Sequence, residues 1–184
     1  MTPSRYDDEL WELVPEEPGP PPEHLREFVR SLGRVERALD LGCGDGRLTA
    51  ELDAAELTAA DVSPVALERA RRRLPERARL IELVPDAPLL LDDGAFDLVL
   101  CGETIEHVRD VQLLLSEVRR VMRSGGTLAL TTPANRALMR PPDPLSPHLR
   151  FLTRRSLRRL LGELGFDVVS LGRRSGTLLA RATR

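Results

Sequence analysis

The chain has 184 residues, 41% hydrophobic and 30% charged, which is ordinary globular composition at a length that suits one domain. A net charge of −2 and an aromatic content of 3% give no general electrostatic or stacking case for nucleic acid. No apolar run approaches the ~18 residues that span a membrane, and no signal-peptide core follows Met1. The two cysteines make no disulfide framework, so a cytoplasmic setting is expected. All 27 basic residues are arginine, and we read the absence of lysine as the coding bias of a GC-rich genome.

In chain order, residues 1–21 are polar and proline-rich and read as a flexible N-terminal arm. The only Tyr and the only Trp, Tyr6 and Trp11, lie in it, either as part of a flap over a ligand or as a hydrophobic anchor. Pro22 to Leu32 reads as a first helix, with Leu25, Phe28, Val29 and Leu32 on one face and Gly33 after its end. From Val35 strand and helix patterns alternate: strand 35–41, helix 46–52, strand 56–61, helix 64–74, strand 79–84. A loop over 85–95, strand 96–101, helix 110–122 and strand 127–131 follow. Residues 133–148 read as a long proline-rich loop, then a helix over 153–164 and two strands over 166–171 and 176–182. Alternation of this kind predicts an α/β domain over 22–184, a mostly parallel sheet with helices on both faces. The two consecutive C-terminal strands predict an antiparallel hairpin at one edge. Ligands of such sheets sit at the carboxyl ends of the strands, so those ends are where a site is sought.

The first strand ends in Asp40-Leu41-Gly42-Cys43-Gly44-Asp45-Gly46. Glycines spaced this way allow positive φ and close approach of a ligand to the main chain. A dinucleotide fingerprint reads G-x-G-x-x-G and holds a pyrophosphate. Here the spacing is G-x-G-x-G, and the carboxylate of Asp40 at its mouth repels phosphate and attracts a cation. S-adenosylmethionine carries an ammonium and a sulfonium and no phosphate, so it is favoured over a dinucleotide. The alternative is an ordinary tight strand-to-helix turn. Asp61 ends the second strand about 20 residues later, where an acid can bond both ribose hydroxyls or, alternatively, cap the next helix.

This stretch resembles motif I of the class I S-adenosylmethionine-dependent methyltransferases. The segment Asp93-Gly94-Ala95-Phe96-Asp97-Leu98-Val99 resembles the way that family enters its fourth strand. The resemblance covers roughly residues 33–184. It is nearest to methyltransferase type 11 and ubiquinone-pathway O-methyltransferases, and implies a Rossmann-like, seven-stranded sheet. It further implies cofactor contacts by Asp40, Gly42, Cys43, Gly44, Asp61 and Val62, the last against the adenine ring. Asp86 and Ala87 sit where the family usually has Gly-Asp-Ala, although Pro85 replaces the glycine, and Asp86 would meet the adenine amino group or be a turn residue. Asp97 reads as structural.

The fourth strand runs into Glu103-Thr104-Ile105-Glu106-His107. On a helical turn Glu103, Glu106 and His107 share one face. The segment resembles the E-x-x-E-H of ubiquinone-pathway O-methyltransferases and of small-RNA 3′-terminal ribose 2′-O-methyltransferases. Two roles stay open. His107 acts as general base with Glu106 orienting it, and Glu103 belongs to the cofactor site. Alternatively Glu103, Glu106, His107 and His148 hold a divalent cation, Mg or Mn. In the ribose methyltransferases a His corresponding to His148, in a stretch like His148-Leu149-Arg150-Phe151, completes the metal site; here Ala134 interrupts their T-P-N pattern. His148 is an active-site candidate under either reading.

The resemblance implies methyl transfer to an oxygen or nitrogen of a small-molecule acceptor. RNA is the alternative acceptor, with Arg150, Arg154, Arg155, Arg158 and Arg159 as a basic stripe or simply a solvated helix face. A non-catalytic cofactor-binding protein is the second alternative. Cys43 and Cys101, on neighbouring strands in this fold, are expected to be reduced packing residues.

Overall fold

The computed structural model describes residues 3–134 and 148–184. Five parallel strands form most of one sheet: β1 (Val35–Leu41), β2 (Ala54–Asp61), β3 (Arg79–Glu82), β4 (Phe96–Gly102) and β5 (Met122–Pro133). β6 (Asp167–Arg174) and β7 (Thr177–Thr183) close the edge as the predicted antiparallel hairpin. The spatial order is β3-β2-β1-β4-β5-β7-β6, seven strands with only β7 running against the rest. Strand order reverses between β1 and β4, so the loops leaving those two strands diverge and open a crevice at their carboxyl ends.

The helices are α1 (Pro3–Leu13), α2 (Glu23–Arg30), α3 (Pro64–Arg73), α4 (Val111–Val121) and α5 (Arg154–Glu163). Side chains alternate across each strand, so β1 sends Leu39 and Leu41 to one face and Ala38 to the other. One face packs Val29 of α2 and Leu67 and Ala70 of α3; the other packs Leu115 and Val118 of α4 and Leu157 and Leu161 of α5. Leu98, Val99, Leu100 and Cys101 of β4 are all fully buried, as expected of a central strand covered on both sides. Cys43 and Cys101 are free and buried and belong to different sides of this core.

Several elements differ from the sequence expectation. The helix expected over 46–52 is only a 3-10 turn, Thr49–Glu51. Gly46 is left-handed at φ +77°, which delays any helix, and β2 starts at Ala54, two residues before the expected strand. β5 is longer than 127–131 because the chain enters the strand directly from α4, carrying Gly125-Gly126 within it. The N-terminal arm contains a helix, α1, since Pro3 and Pro15 flank its periodic stretch and do not interrupt it. Most of the expected 133–148 loop lies outside the described residues. Its described start is anchored: Ala134 bridges Leu152, and the Ala134 amide donates to the Gly176 carbonyl.

Capping residues set the helix starts. The Ser63 hydroxyl accepts from the Ala66 amide ahead of Pro64, and the Asp110 carboxylate accepts from the Leu113 amide. Thr153 and Ser156 form a reciprocal cap on α5. Asp97, read as structural, accepts from the Arg37 amide at 2.7 Å and pairs with Arg123, tying β4 to β1 and to the start of β5.

Candidate active site at the carboxyl ends of the strands

The loop after β1 is shaped by left-handed glycines and by hydrogen bonds to the end of β2. Gly42 has φ +76° and Gly44 φ +54°. The amides of Gly42 and Cys43 both donate to the Ala60 carbonyl, at 2.8 and 3.0 Å. The Gly44 amide donates to Asp61 at 2.8 Å, and the other Asp61 oxygen accepts from the Ser63 amide at 3.0 Å. Asp61 therefore joins the glycine loop to the N-terminus of α3, a backbone role that the expected ribose contact does not include. Burial raises its pKa. Val62 beside it is half-buried.

Asp40 is buried at the end of β1, with Thr49 donating to one oxygen at 2.6 Å. Its other oxygen has no hydrogen-bond partner among the described residues. Burial, then the charge of Asp61, raises the Asp40 pKa to about 7. An unsatisfied buried carboxylate oxygen calls for a donor, and a cationic donor best of all. Asp45, not singled out in the sequence, is buried too and pairs with Arg47 at 2.9 Å and Arg73 at 3.0 Å.

The glycine loop meets the β4 segment at Thr104. A Cβ at Gly42 would stand 2.4 Å from the Thr104 methyl, so only glycine admits this contact. The Thr104 hydroxyl donates to the Leu41 and Gly102 carbonyls, at 3.2 and 3.0 Å, pinning β4's end to β1's end. Glu103 itself has φ +54°, and its amide donates to the Thr131 carbonyl at 3.0 Å. One Glu103 oxygen is buried without a partner among the described residues, and burial raises its pKa.

Residues 105–107 form a single turn, closed by the His107 amide donating to Thr104 at 2.9 Å, and not the helical turn expected. The left-handed Glu103 reverses the chain ahead of that turn, so the group that converges is Glu106, His107 and His148, without Glu103. One ligand-type atom from each of the three lies within 4.8 Å of the others. Glu106 is fully buried, and one of its oxygens accepts from the Thr132 hydroxyl at 2.9 Å. The other has no hydrogen-bond partner among the described residues and stands 3.9 Å from His107 Nε2. Burial, then the charge of Glu103, raises the Glu106 pKa to about 7. The imidazoles of His107 and His148 meet edge to face at 4.9 Å, and His148 meets Phe151 at 5.3 Å. Burial lowers the His148 pKa.

Arg150 is what holds His148 there. Its guanidinium donates to the carbonyls of Ile105, Val108 and Arg109, and the neighbouring Leu149 amide donates to the Glu106 carbonyl at 2.7 Å. Arg150 is therefore committed to the backbone and does not contribute a free cation to the arginine stripe on α5. Asp86 and Ala87 stand apart from this cluster. Asp86 is exposed at φ +54°, with the Asp110 amide 3.5 Å away.

Comparison with known proteins bears on this arrangement. The family model for a methyltransferase domain, type 11, matches residues 39–130, from β1 through β5. A trans-aconitate 2-methyltransferase of Methylobacterium radiotolerans is 38% identical over 104 residues, 54% of this chain and 39% of that protein. A sarcosine/dimethylglycine N-methyltransferase of Halorhodospira halochloris is 32% identical over 161 residues, covering 80% of this chain and 57% of that protein. The chain thus spans well under two thirds of the length of these relatives. A putative methyltransferase of Bacillus halodurans has a solved structure with a TM-score of 0.72 at 14% identity, over 88% of this chain and 99% of that one.

Proposed function

The chain belongs to the class I S-adenosylmethionine-dependent methyltransferases, and we propose that it moves a methyl group from that cofactor to an oxygen or nitrogen of a small organic acceptor. One observation carries the reading: the buried Glu106, with His107 and His148, stands one threonine away from the glycine loop at the sheet's switch point. The named relatives support a small acceptor, since their names specify trans-aconitate and sarcosine or dimethylglycine. The free, buried thiols suit a reducing cytoplasm.

The residues fit the cofactor. Asp40 offers a partnerless buried oxygen to its ammonium, Gly42, Cys43 and Gly44 offer a close backbone surface, and Asp61 offers its carboxylate to the ribose. Val62, Asp86 and Ala87 would border the adenine and Glu103 the methionine end. When bound, the cofactor supplies an electrophilic methyl on sulfur. The remaining work is positioning and proton removal from the acceptor. His107 and His148 accept that proton, and Glu106 orients the pair and balances the charge that develops. The test is turnover against a panel of small carboxylates, phenols and amines, measured as S-adenosylhomocysteine release. Tight cofactor binding with no turnover on any acceptor would instead support a cofactor-binding protein without catalysis.

A specific observation favours a second reading of the same three side chains. Two imidazoles and one carboxylate within 4.8 Å, with a partnerless carboxylate oxygen, are a donor set for a first-row divalent cation. Such an ion would be held by Glu106, His107 and His148 and would lower the pKa of an acceptor hydroxyl. Mn²⁺ binding followed by electron paramagnetic resonance, in the wild type and in His148→Ala, separates the two: saturable binding lost in the variant supports the ion, and its absence in both supports the metal-free base.

A further inference from the structure

Each glycine of the loop has its open side closed by a different part of the protein. A Cβ at Gly42 would meet Thr104, and one at Gly46 would meet Ala70 and Leu74 on and just beyond α3, all parts of the sheet-and-helix body. At Gly44 the neighbour comes from elsewhere. The indole of Trp11 lies over it, with Cζ2 and Cη2 only 2.6 and 2.8 Å from where a Cβ would stand. Trp11 belongs to α1, a helix that the methyl-transfer reading leaves without a role.

The fastening of α1 is local. The Asp8 carboxylate accepts from the Ser63 hydroxyl at 2.5 Å, with the Val65 amide 3.5 Å away, at the N-terminus of α3 and two residues from Asp61. The chain after α1 is fastened separately. Arg69 donates to the carbonyls of Val14 and Pro15, at 2.9 and 3.3 Å, and Arg47 donates to Gly19 at 2.8 Å. The Arg69 guanidinium also stands 6.0 Å from the Trp11 ring. Release of α1 thus includes loss of the Asp8 latch and the Trp11 contact, while residues 14–19 keep their own bonds and serve as the pivot.

We propose that α1 is a plug that competes with the cofactor: Trp11 fills the approach to Gly44 in the free chain, Asp8 latches it at Ser63, and cofactor entry expels the indole. The inference rests on the reading that the glycine loop holds S-adenosylmethionine. A closed state that must open before binding weakens the apparent affinity by the fraction of molecules that are open. Weakening the plug therefore tightens binding without any new contact to the ligand.

Trp11 is the chain's only tryptophan, so its fluorescence reports the plug directly. Saturating S-adenosylhomocysteine should shift the wild-type emission to the red as the indole moves into water. By calorimetry, Trp11→Ala should bind S-adenosylhomocysteine roughly tenfold more tightly than wild type, and Asp8→Ala, which leaves the Gly44 face untouched, roughly threefold more tightly. Weaker binding in Trp11→Ala would make the indole a wall of the site and overturn the proposal. So would wild-type binding with unmoved fluorescence and unchanged affinity in Asp8→Ala, and either result leaves the cofactor reading standing. If neither wild type nor variant binds the ligand, the cofactor reading fails and the plug with it. Should Trp11→Ala fail to fold, the emission shift and Asp8→Ala decide.

Discussion

Two regions meet at the switch point, and they are built from different materials. At the ends of β1 and β2 the geometry comes from backbone: amides of Gly42, Cys43 and Gly44 bonded to Ala60 and Asp61, with left-handed glycines between them. At the ends of β4 and β5 it comes from side chains gathered from three separate stretches, around Glu106, Thr132 and His148. A backbone-built site tolerates few substitutions but depends on little beyond a short run of sequence. A side-chain-built site places its groups only as well as distant segments are held together, which gives Arg150 its importance.

The largest effect should come from breaking the contact of Gly42 with Thr104, where the two loops meet. Gly42→Val would place a β-branched side chain at φ +76° and drive it into Thr104, whose hydroxyl is already committed to two carbonyls. Loss of cofactor binding is expected, with a destabilisation of about 2–4 kcal/mol from overpacking and backbone strain. Urea unfolding and calorimetry measure the two parts. A stable variant with wild-type affinity would mean that the regions are independent.

His148→Ala probes the second region alone. Removing a positioned base typically costs ~10²–10⁴ in rate, and S-adenosylhomocysteine affinity should stay within about twofold, because the cofactor reading places the ligand on the glycine loop and the end of β2, while His148 meets His107 and Phe151. Parallel loss of rate and affinity would merge the two regions into one. Arg150→Met should follow with a smaller effect. The imidazole stays, but the three carbonyls that fix its segment lose their donor. A rate loss between about tenfold and a hundredfold is expected from misplacement, together with about 1–3 kcal/mol of stability. A fall in kcat without change in cofactor affinity would mark Arg150 as a positioning residue.

The contrast also explains what could be read from the sequence. Asp40 to Gly46 is contiguous, so spacing alone located the loop, and the strand alternation placed Asp61 at the end of its neighbour. Capping by Ser63 is local in the same way, a contact within four residues. The Glu106–His107 motif is visible in the sequence, but its conformation is not, because helical spacing does not hold where Glu103 turns left-handed. Thr132 bonding Glu106 and Arg150 bridging to residues 105–109 are long-range contacts for which local sequence carries no signal. Trp11 over Gly44 is the extreme case, since nothing near either residue announces the other. The 3-10 turn after the loop is not legible because residues 46–52 carry an adequate helix pattern, and it is the early start of β2 that leaves no room for the helix.

The smallest expected effect concerns the cost of the first region when no ligand is bound. Asp40 is 2% exposed, one of its oxygens lacks a partner among the described residues, and its pKa is raised to about 7, by burial first and by the charge of Asp61 after that. An unfolded aspartate titrates near ~3.9. The folded chain therefore holds this proton more tightly than the unfolded one. Asp40 contributes no penalty below pH ~4, a growing penalty as pH rises toward about 7, and its full penalty above that. Asp40→Asn removes the charge and keeps an acceptor for the Thr49 hydroxyl. At pH 8 the variant should be more stable than wild type by about 1–3 kcal/mol, and at pH 4 the two should unfold alike. Urea titrations of the ligand-free protein at both pH values measure the difference. The same variant should bind S-adenosylhomocysteine more weakly, because the neutral amide no longer attracts the ligand's ammonium. Higher stability with poorer binding would show that the glycine loop is held in a state suited to a cation. Equal stability at pH 8 would mean that the Asp40 charge costs the folded chain nothing, its burial being compensated without a ligand, and that the first region does not await a cation.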